Sequence, residues 1–387
     1  MDFALTDEQK MIVATTREFV RRELLPLEPE VGRAEREGRV WPDRAKAREL
    51  QQKAKTAGLW GLATPEEYGG ANVGPFMSAL IMMETARALV SFNYGGGADN
   101  ILYGANEDQK RRYLLPTIAG DRHSCFALTE PDTGSDATNI RTSAVKDGTH
   151  WVLNGRKVFI SNAVEADFAI IFAVTDKEKR ARGGITAFLA DRDMGWQATK
   201  IPLMSSWSAA EVLLEDVRVP QENVLGEVGG GFQLAMQWIG NGRVMIPARA
   251  TGQATRLLEM GMEYAKQRQA FGSPIAEYEA IQWMIADSAV EIEQAKWLTL
   301  HAAWQAEHGL DARHASSMAK LTGAQMVWRV ADRVLQIHGG MGYTRELPIE
   351  RIMREVRVYR IFEGTDEIQK RTIARNLLKG YAHFGEW

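Results

Sequence analysis

The sequence predicts an α+β protein of three consecutive domains: an N-terminal helical domain (1–122), a middle antiparallel, barrel-like β domain (123–231) and a C-terminal four-helix bundle (232–387). Two observations lead to this prediction. Apolar residues recur at helical spacing towards both ends of the chain, whereas between about 123 and 230 they recur with a period of two. No helical segment separates the predicted strands, which excludes a βαβ dinucleotide-binding fold.

The composition is that of an ordinary globular protein. The chain has 387 residues, of which 45% are hydrophobic and 25% charged, and its net charge of −3 gives no reason to expect nucleic acid as a partner. Cys125 is the single cysteine, so no intramolecular disulfide can form, and the seven histidines show no metal-ligand spacing. Because the N-terminus lacks an apolar run and no stretch is apolar enough to span a bilayer, we expect a cytoplasmic protein without a membrane span.

Helical signals dominate the first 122 residues. Thr6 is a suitable N-cap for a first helix, which Pro26 helps to end. Further helices are expected from near Pro42 through Arg44–Lys55, around 76–90 and around 107–118, with a glycine breaker at 95–97.

Turn and strand signals mark the middle of the chain. Asp147-Gly148 and Asn154-Gly155 are both typical of two-residue hairpin turns. The expected strands are 149–153, 156–160, 168–174, 185–190 and 212–219.

Helical spacing returns after Gly231. Four long helices are expected, over about 232–267, 275–307, 311–338 and 365–379. Ser273 and Pro274 suit the N-cap and first position of the second. In the third, an apolar stripe indicates bundle core rather than a ligand site: Met318, Leu321, Ala324, Val327, Ala331 and Val334.

The residues with the clearest chemical potential lie near the C-terminus. The pair Gly339-Gly340 lets the backbone come close to a ligand, because neither residue has a side chain to hold it off. Downstream, Glu363 stands between Phe362 and Gly364, where loss of water on ligand binding would raise its pKa and make it a better base. Taken separately, these features are better explained by a helix C-cap at Gly339 and an exposed glutamate.

Together with three further motifs, these stretches resemble the acyl-CoA dehydrogenases, flavoproteins that desaturate a thioester at its α,β bond. The motifs are Thr129-Glu130-Pro131 followed by Gly134-Ser135-Asp136, then Phe159-Ile160-Ser161, and Arg268-Gln269-Ala270-Phe271-Gly272. They occur in the family's order over essentially the whole chain. The resemblance implies FAD as cofactor and an acyl-CoA as substrate.

The resemblance assigns the flavin ring to residues of the β domain. It implies that Thr129 and its neighbours Phe126 and Leu128 bind the isoalloxazine edge. It also implies that Gly134 and Ser135 lie near the flavin, with Ser135 close to the CoA pantetheine as well. Phe159 would stack on one flavin face and Ser161 would hydrogen-bond on the N5 side. Without the neighbouring motifs, Phe159 is better explained as a core aromatic.

Other cofactor contacts are implied to involve a neighbouring subunit. Arg268 and Phe271 would reach the pyrophosphate and adenine of a neighbour's FAD, and Gln336, Gly339 and Gly340 would meet the same adenine half. Thr365 and Glu367 would contact the FAD of their own subunit, while Thr365 also suits a helix N-cap. The resemblance therefore implies a homo-oligomer, usually a tetramer.

Arg243 matches the position at which many family members place an arginine near the base and the thioester end of the substrate. Phe362 and Gly364 flank the base and are expected to touch the substrate. Two positions depart from the family's pattern: Gly240 replaces an acid often found there, and Glu279 replaces a usual glutamine. The CoA contacts near Gly240 therefore stay open.

The resemblance implies a complete reaction. Glu363 would remove the α-proton and the β-hydrogen would leave as hydride to flavin N5, giving a trans-2-enoyl-CoA as in fatty-acid β-oxidation. The electrons would pass to an electron-transferring flavoprotein. Some members place the base near Arg243 instead, but residues 240–245 contain no carboxylate.

Two alternatives stay open: a flavin oxidase or monooxygenase on the same fold, and a non-catalytic subunit that completes another chain's FAD site. The sequence does not reveal the length or branching of the acyl chain.

Overall fold

The computed structural model describes residues 4–39, 42–90, 98–205 and 208–382. The chain forms two compact units, one made of Met1–Ala63, Asn72–Tyr94 and Gly240–Trp387 and the other of Thr64–Ala71 and Gly95–Ile239. The predicted domain borders near 122 and 231 stay predictions, and the glycine breaker at 95–97 lies outside the described residues.

The first unit begins with the helices α1 (Asp7–Phe19), α2 (Glu28–Arg36), α3 (Arg44–Thr56) and α4 (Gly74–Thr85). Helices α1, α3 and α4 correspond to predicted helices, whereas α2 was not predicted. The Thr6 N-cap is confirmed, because its hydroxyl accepts from the Gln9 backbone N–H at 3.2 Å while the Gln9 side chain accepts from the Thr6 N–H at 3.0 Å. Helical backbone continues past Pro26, which falls in a 3₁₀ turn at Leu25–Leu27, where its missing N–H costs no helical hydrogen bond.

The second unit contains short helices and an eight-stranded sheet. The helices are α5 (Glu107–Gln109) and α6 (Leu115–Ala119), joined by a π-helical turn at Lys110–Leu114. The strands are β1 (Ser124–Ala127), β2 (Ser143–Asp147), β3 (His150–Ser161), β4 (Phe168–Val174), β5 (Ile185–Asp191), β6 (Gln197–Lys200), β7 (Ala209–Pro220) and β8 (Val224–Leu225).

The sheet runs in the order β6-β7-β3-β2-β4-β5-β8, with β1 paired to β4. Most neighbours are antiparallel as predicted, but β1 and β2 both pair with β4 in parallel, so the sheet is mixed. Alternate residues of β4 pack into two different cores, with Ile171 in one and Phe172 in the other. Because β4 is buried on both faces, its apolar run shows no alternation.

The hairpin turn predicted at Asn154-Gly155 is wrong. Both residues lie inside β3, where the register with β7 shifts between Leu153 and Gly155. The Asn154 amide oxygen accepts from the Asp216 backbone N–H on β7 at 2.9 Å. Pairing with β7 therefore keeps Asn154 inside the strand, at an irregularity of the register. The turn at Asp147-Gly148 does connect β2 and β3.

The four long C-terminal helices are confirmed. They are α7 (Gly231–Gln267), α8 (Glu279–Glu307), α9 (Arg313–His338) and α12 (Asp366–Leu378), with two shorter helices, α10 (Gly340–Tyr343) and α11 (Ile349–Val356), before the last. The helix α9 packs against α8, α11 and α12. Of the predicted core stripe on α9, Ala324, Val327, Ala331 and Val334 are buried, whereas Met318 and Leu321 are half-buried.

The N-cap predicted at Ser273-Pro274 is wrong. These residues form strand β10 (Ser273–Pro274), which pairs with β9 (Gln269–Ala270) across a turn at Phe271-Gly272. Both turn residues have positive φ, 52° and 91°, as a two-residue hairpin turn of the mirror-image type requires. The helix α8 therefore starts later, at Glu279.

None of the helices that the structure describes combines the length and the apolar character needed to cross a bilayer.

Candidate active site

Glu363 lies in a short loop that precedes α12. Its φ is +53° and that of Gly364 is +88°, so two consecutive residues adopt left-handed backbone. A non-glycine residue with positive φ is uncommon and persists where its surroundings hold it in place. Here the Gln369 side-chain amide donates to the carbonyl oxygens of Glu363 at 2.9 Å and Gly364 at 3.1 Å, and Lys320 Nζ donates to that of Gly364 at 2.6 Å.

The carboxyl group of Glu363 packs against the backbone of α7. A methyl group built on Gly242 would lie 2.9 Å from Glu363 Cδ, so the missing side chain at this glycine makes room for the carboxyl group. Glu363 Oε2 is buried and has no hydrogen-bond partner among the residues that the structure describes. The exposed glutamate considered from the sequence is therefore not what the fold produces.

Burial raises the pKa of Glu363 from 4.5 to about 7, although the positive charges of Arg243 and Lys320 act in the opposite direction. A carboxyl group with this pKa is present in both protonation states at neutral pH, which suits a general base. An unpartnered buried oxygen with a perturbed pKa is also typical of a functional site.

Arg243, one residue after Gly242 on α7, is a second buried group with unused hydrogen-bonding capacity. Its Nε atom has no partner in the described part of the chain. Burial lowers the pKa of the guanidinium, and the nearby Glu363 carboxyl group partly offsets this effect. The structure thus brings together Arg243, Glu363 and Gly364. A methyl group built on Gly364 would lie 3.6 Å from an Arg243 terminal nitrogen.

The start of α12 carries two predicted cofactor residues. The Thr365 hydroxyl accepts from the Ile368 backbone N–H at 3.2 Å, so its role as N-cap is confirmed. Glu367 is exposed in the first turn of the same helix. Phe362, one residue before the glutamate, stacks on Tyr359 with ring centroids 5.7 Å apart and is half-buried.

In the other unit, the segment after β1 is held by a buried ion pair. Lys157 Nζ lies 2.7 Å from Glu130 Oε1 and also donates to the Leu128 carbonyl at 3.1 Å. Burial alone would raise the pKa of Glu130, but the Lys157 charge and hydrogen bonds from Thr142 and Arg141 outweigh it and lower the pKa. This pair fixes the backbone on either side of Thr129, which is itself half-buried.

The other predicted residues of this unit differ in exposure. Gly134, Ser135 and Ser161 are exposed and Leu128 is buried. The ring of Phe126 stacks on Trp238, with centroids 4.0 Å apart, so it takes part in core packing. The segment from 126 to 135 therefore offers a ligand mainly its backbone and small side chains.

Phe159 is 60% exposed and has a φ of +57°, at an irregularity where the pairing of β3 with β7 shifts. The alternative that Phe159 is a core aromatic is therefore wrong. Because its apolar surface is left in water, the exposed Phe159 ring is suited to stack on the face of a planar ligand ring. Its positive φ is also typical of residues at functional sites.

The remaining predicted residues sit at ends of α7 and α9. Phe271 is 100% exposed at the tip of the β9–β10 hairpin, and Arg268 is exposed one residue after α7. Gly339, with a φ of +56°, ends α9, and Gln336 and Gly340 are exposed beside it. The C-cap predicted at Gly339 is thus confirmed.

Three residues around Glu363 were missed by the sequence analysis: Gly242, Lys320 and Gln369. A signal existed for two of them. Lys320 falls on the buried face of α9, between Ser316 and Ala324, where a charged residue needs a reason. A glycine inside a helix, as at Gly242, often marks a close approach.

Family models cover nearly the whole chain. The N-terminal, middle and C-terminal domains of acyl-CoA dehydrogenases match residues 6–121, 125–217 and 229–378. The (R)-benzylsuccinyl-CoA dehydrogenase of Thauera aromatica is 36% identical over 98% of this chain and 97% of its own.

Solved structures of full-length relatives have the same fold. Butyryl-CoA dehydrogenase from Megasphaera elsdenii aligns with a TM-score of 0.87 and 33% identity over 98% of this chain and all of its own. An FAD complex of PigA aligns with a TM-score of 0.87 and 26% identity over 97% of this chain and 99% of its own. With three consecutive domain matches and a relative of this identity along its full length, the chain belongs to the acyl-CoA dehydrogenase family of oxidoreductases.

Proposed function

We propose that the protein is an FAD-dependent acyl-CoA dehydrogenase in which Glu363 removes the α-proton of an acyl-CoA thioester, yielding a trans-2-enoyl-CoA. One observation carries the proposal: Glu363 presents a buried, unpartnered carboxylate oxygen, with a pKa of about 7, beside a buried arginine. The same-fold relatives named as CoA dehydrogenases support the substrate class.

The proton-transfer step follows from the surroundings of the carboxyl group. The α-proton of a thioester is weakly acidic, so its removal needs a base together with polarisation of the carbonyl. With a pKa of about 7, about half of the Glu363 side chains carry the charge at pH 7, and a substrate that displaces remaining water strengthens them as a base. The Glu363 backbone N–H would stabilise the enolate-like oxygen, and Arg243 would orient the thioester end.

The residues present fit a flavin. Phe159 offers an exposed aromatic face, Ser161 an exposed hydroxyl and Thr129 a backbone held in place by the Glu130–Lys157 pair. FAD, when bound, supplies the acceptor for the β-hydrogen that leaves as hydride. Thr365 and Glu367, at the start of α12, are proposed FAD contacts on the basis of the family resemblance.

The assembly is proposed to be a homo-oligomer, usually a tetramer in this family. Arg268, Phe271, Gln336, Gly339 and Gly340 would bind a neighbouring subunit's FAD. Their exposure supports this, because a fully exposed phenylalanine such as Phe271 leaves apolar surface in water.

A row of apolar side chains on α8 supports the same proposal. Its members follow one another at intervals of seven residues and are all exposed: Trp283, Val290, Trp297 and Trp304. A seven-residue interval keeps them on one face of the helix, which would be buried by a second copy of the chain.

The electrons are proposed to pass to an electron-transferring flavoprotein. The proposed pathway is fatty-acid β-oxidation, and the proposed location of the protein is the cytoplasm. The named relatives act on chemically different acyl groups, butyryl and benzylsuccinyl.

The test is anaerobic bleaching of the flavin absorbance by straight-chain, branched, aromatic and dicarboxylic acyl-CoAs. The wild-type protein should bleach with at least one of them, whereas Glu363→Gln should keep its FAD and lose bleaching by several orders of magnitude. Glu346→Gln, the same substitution at an exposed glutamate, serves as the matched control and should bleach normally. Normal bleaching by Glu363→Gln would show that another residue is the base.

The same preparation separates the alternatives. Hydrogen peroxide formed with acyl-CoA in air would indicate an oxidase, and flavin far below one per chain would indicate a non-catalytic subunit.

A further inference from the structure

Lys320 is a fully buried lysine on α9, directly behind the loop that carries Glu363. Its Nζ donates to the Gly364 carbonyl at 2.6 Å. No described carboxylate forms a salt bridge with it. The neighbouring Asp366 directs its Oδ2 instead to Arg360 at 2.7 Å and Gln325 at 3.1 Å.

Burial of the Lys320 ammonium group without a salt bridge to a described carboxylate is energetically unfavourable. Burial lowers the pKa of Lys320 to about 8, although Asp366 and Glu363 act in the opposite direction. A buried charge without a direct counter-ion destabilises the folded state, and a methionine of similar length would avoid that cost. A role for the charge or for its hydrogen bond is therefore required.

The hydrogen bond from Lys320 holds the backbone where two consecutive residues have positive φ. Gly364 has a φ of +88° and follows Glu363 at +53°, and its carbonyl accepts from both Lys320 and Gln369. Two donors on one carbonyl fix the orientation of the peptide plane that follows Gly364. They therefore restrict the rotation of the loop that aims the Glu363 side chain.

The charge acts on the carboxyl group itself. The charged groups that influence Glu363 are Arg243 on α7 and Lys320 on α9, and both favour its ionised form. On the side of α12, Asp366 and Glu367 act on Lys320 and favour its charged form. Lys320 is thus a cation held between the base loop and the acidic first turn of α12.

We propose that Lys320 is a positioning residue for Glu363: it fixes the left-handed backbone of the Glu363–Gly364 loop through the Gly364 carbonyl and presents a buried positive charge to the carboxylate. The inference rests on the proposed role of Glu363 as the base.

The test uses FAD-loaded Lys320→Met, which keeps the length of the side chain but removes its charge and its donor. In hydrogen exchange, amides of residues 361–369 should exchange at least about ten-fold faster than in the wild type, because their opening becomes easier. The apparent pKa of the bleaching rate should rise by about one unit, the lower end of the effect of losing a nearby opposite charge. At pH 7 the ionised fraction of Glu363 then falls from about one half to about one eleventh, so bleaching should be about five-fold slower.

Lys296→Met, the same substitution at a lysine on α8 that pairs with Glu293 on the surface, is the matched control and should leave both readouts unchanged. A folded, FAD-loaded Lys320→Met with wild-type exchange and a wild-type pH profile would overturn the proposal. If Glu363→Gln itself bleaches normally, the proposed base is wrong. If only Lys320→Met behaves as the wild type, the base stands and the role of Lys320 does not.

A second variant decides the matter if Lys320→Met does not fold. Lys320→Gln keeps a polar side chain but removes the charge, so the apparent pKa of the bleaching rate should rise by about one unit. A folded, FAD-loaded Lys320→Gln with a wild-type pH profile would contradict the proposal.

Discussion

The buried carboxyl group of Glu363 should make the stability of the protein depend on pH in a way that one substitution removes. The pKa of Glu363 is about 7 in the folded protein, against 4.5 for a solvated glutamate. Between these two pH values the folded state holds a proton that the unfolded chain has lost. The contribution of this residue is therefore fully present below pH 4.5 and is lost as pH rises through 7.

The size of the effect follows from the difference between the two pKa values. At about 1.4 kcal/mol for each pH unit, it amounts to about 3 kcal/mol of unfolding free energy. Glutamine has nearly the same shape and does not titrate, so Glu363→Gln should escape this loss. The stability of the variant relative to the wild type should increase by about 3 kcal/mol from below pH 4.5 to above pH 7, which is a large part of the net stability of a typical protein.

The assay is urea unfolding of both proteins between pH 4 and 7.5, saturated with FAD and at constant ionic strength, followed by far-ultraviolet circular dichroism. Flavin affinity is measured for each protein, so that any difference in ligand stabilisation can be subtracted. Glu346→Gln should follow the wild type at every pH. A difference between Glu363→Gln and the wild type that stays constant over this range would refute the reasoning, because it would mean that Glu363 is not held in a dehydrated environment.

Two further substitutions test the packing described above. Gly242→Ala should displace the Glu363 carboxyl group, from which the new methyl group would lie 2.9 Å, and slow flavin bleaching at least about ten-fold with FAD retained, although alanine itself favours the helix by about 1 kcal/mol. Gly32→Ala, in α2 with only an arginine side chain near, should not slow it; equal rates for the two variants would contradict the packing. Lys157→Met should leave the buried charge of Glu130 uncompensated and lower the unfolding free energy by about 3–5 kcal/mol in urea unfolding at pH 7. Arg156→Met, next to Lys157 on β3, breaks an exposed pair with Glu211 on β7 and should cost less than about 1 kcal/mol. A similar loss for both variants would refute the distinction.

Features that depend on contiguous residues were predictable from the sequence. The helical and strand regions followed from the spacing of apolar residues, which is set within each element. The Thr6 and Thr365 caps followed from hydroxyl side chains placed before helical patterns, and Gly339 from the need for positive φ at a helix end. Glu363 itself was recognisable because its neighbours along the chain form part of a family motif.

Features that depend on residues distant along the chain were not predictable from the sequence. Asn154-Gly155 is a suitable turn in isolation, but Asp216 on β7 bonds the asparagine and keeps both residues inside β3. From its own neighbours Phe159 is better explained as a core side chain, but in the structure it is exposed where the pairing of β3 with β7 is irregular.

The same division applies to the chemistry of the candidate site. The sequence by itself pointed to Glu363 as the candidate base, because the residues around it along the chain resemble a family motif. Only the tertiary structure decided how the carboxyl group behaves, because Gly242 on α7 and Lys320 on α9 are distant along the chain and adjacent in space. A pKa depends on water exclusion and on nearby charge, and both are properties of the segments that folding brings together.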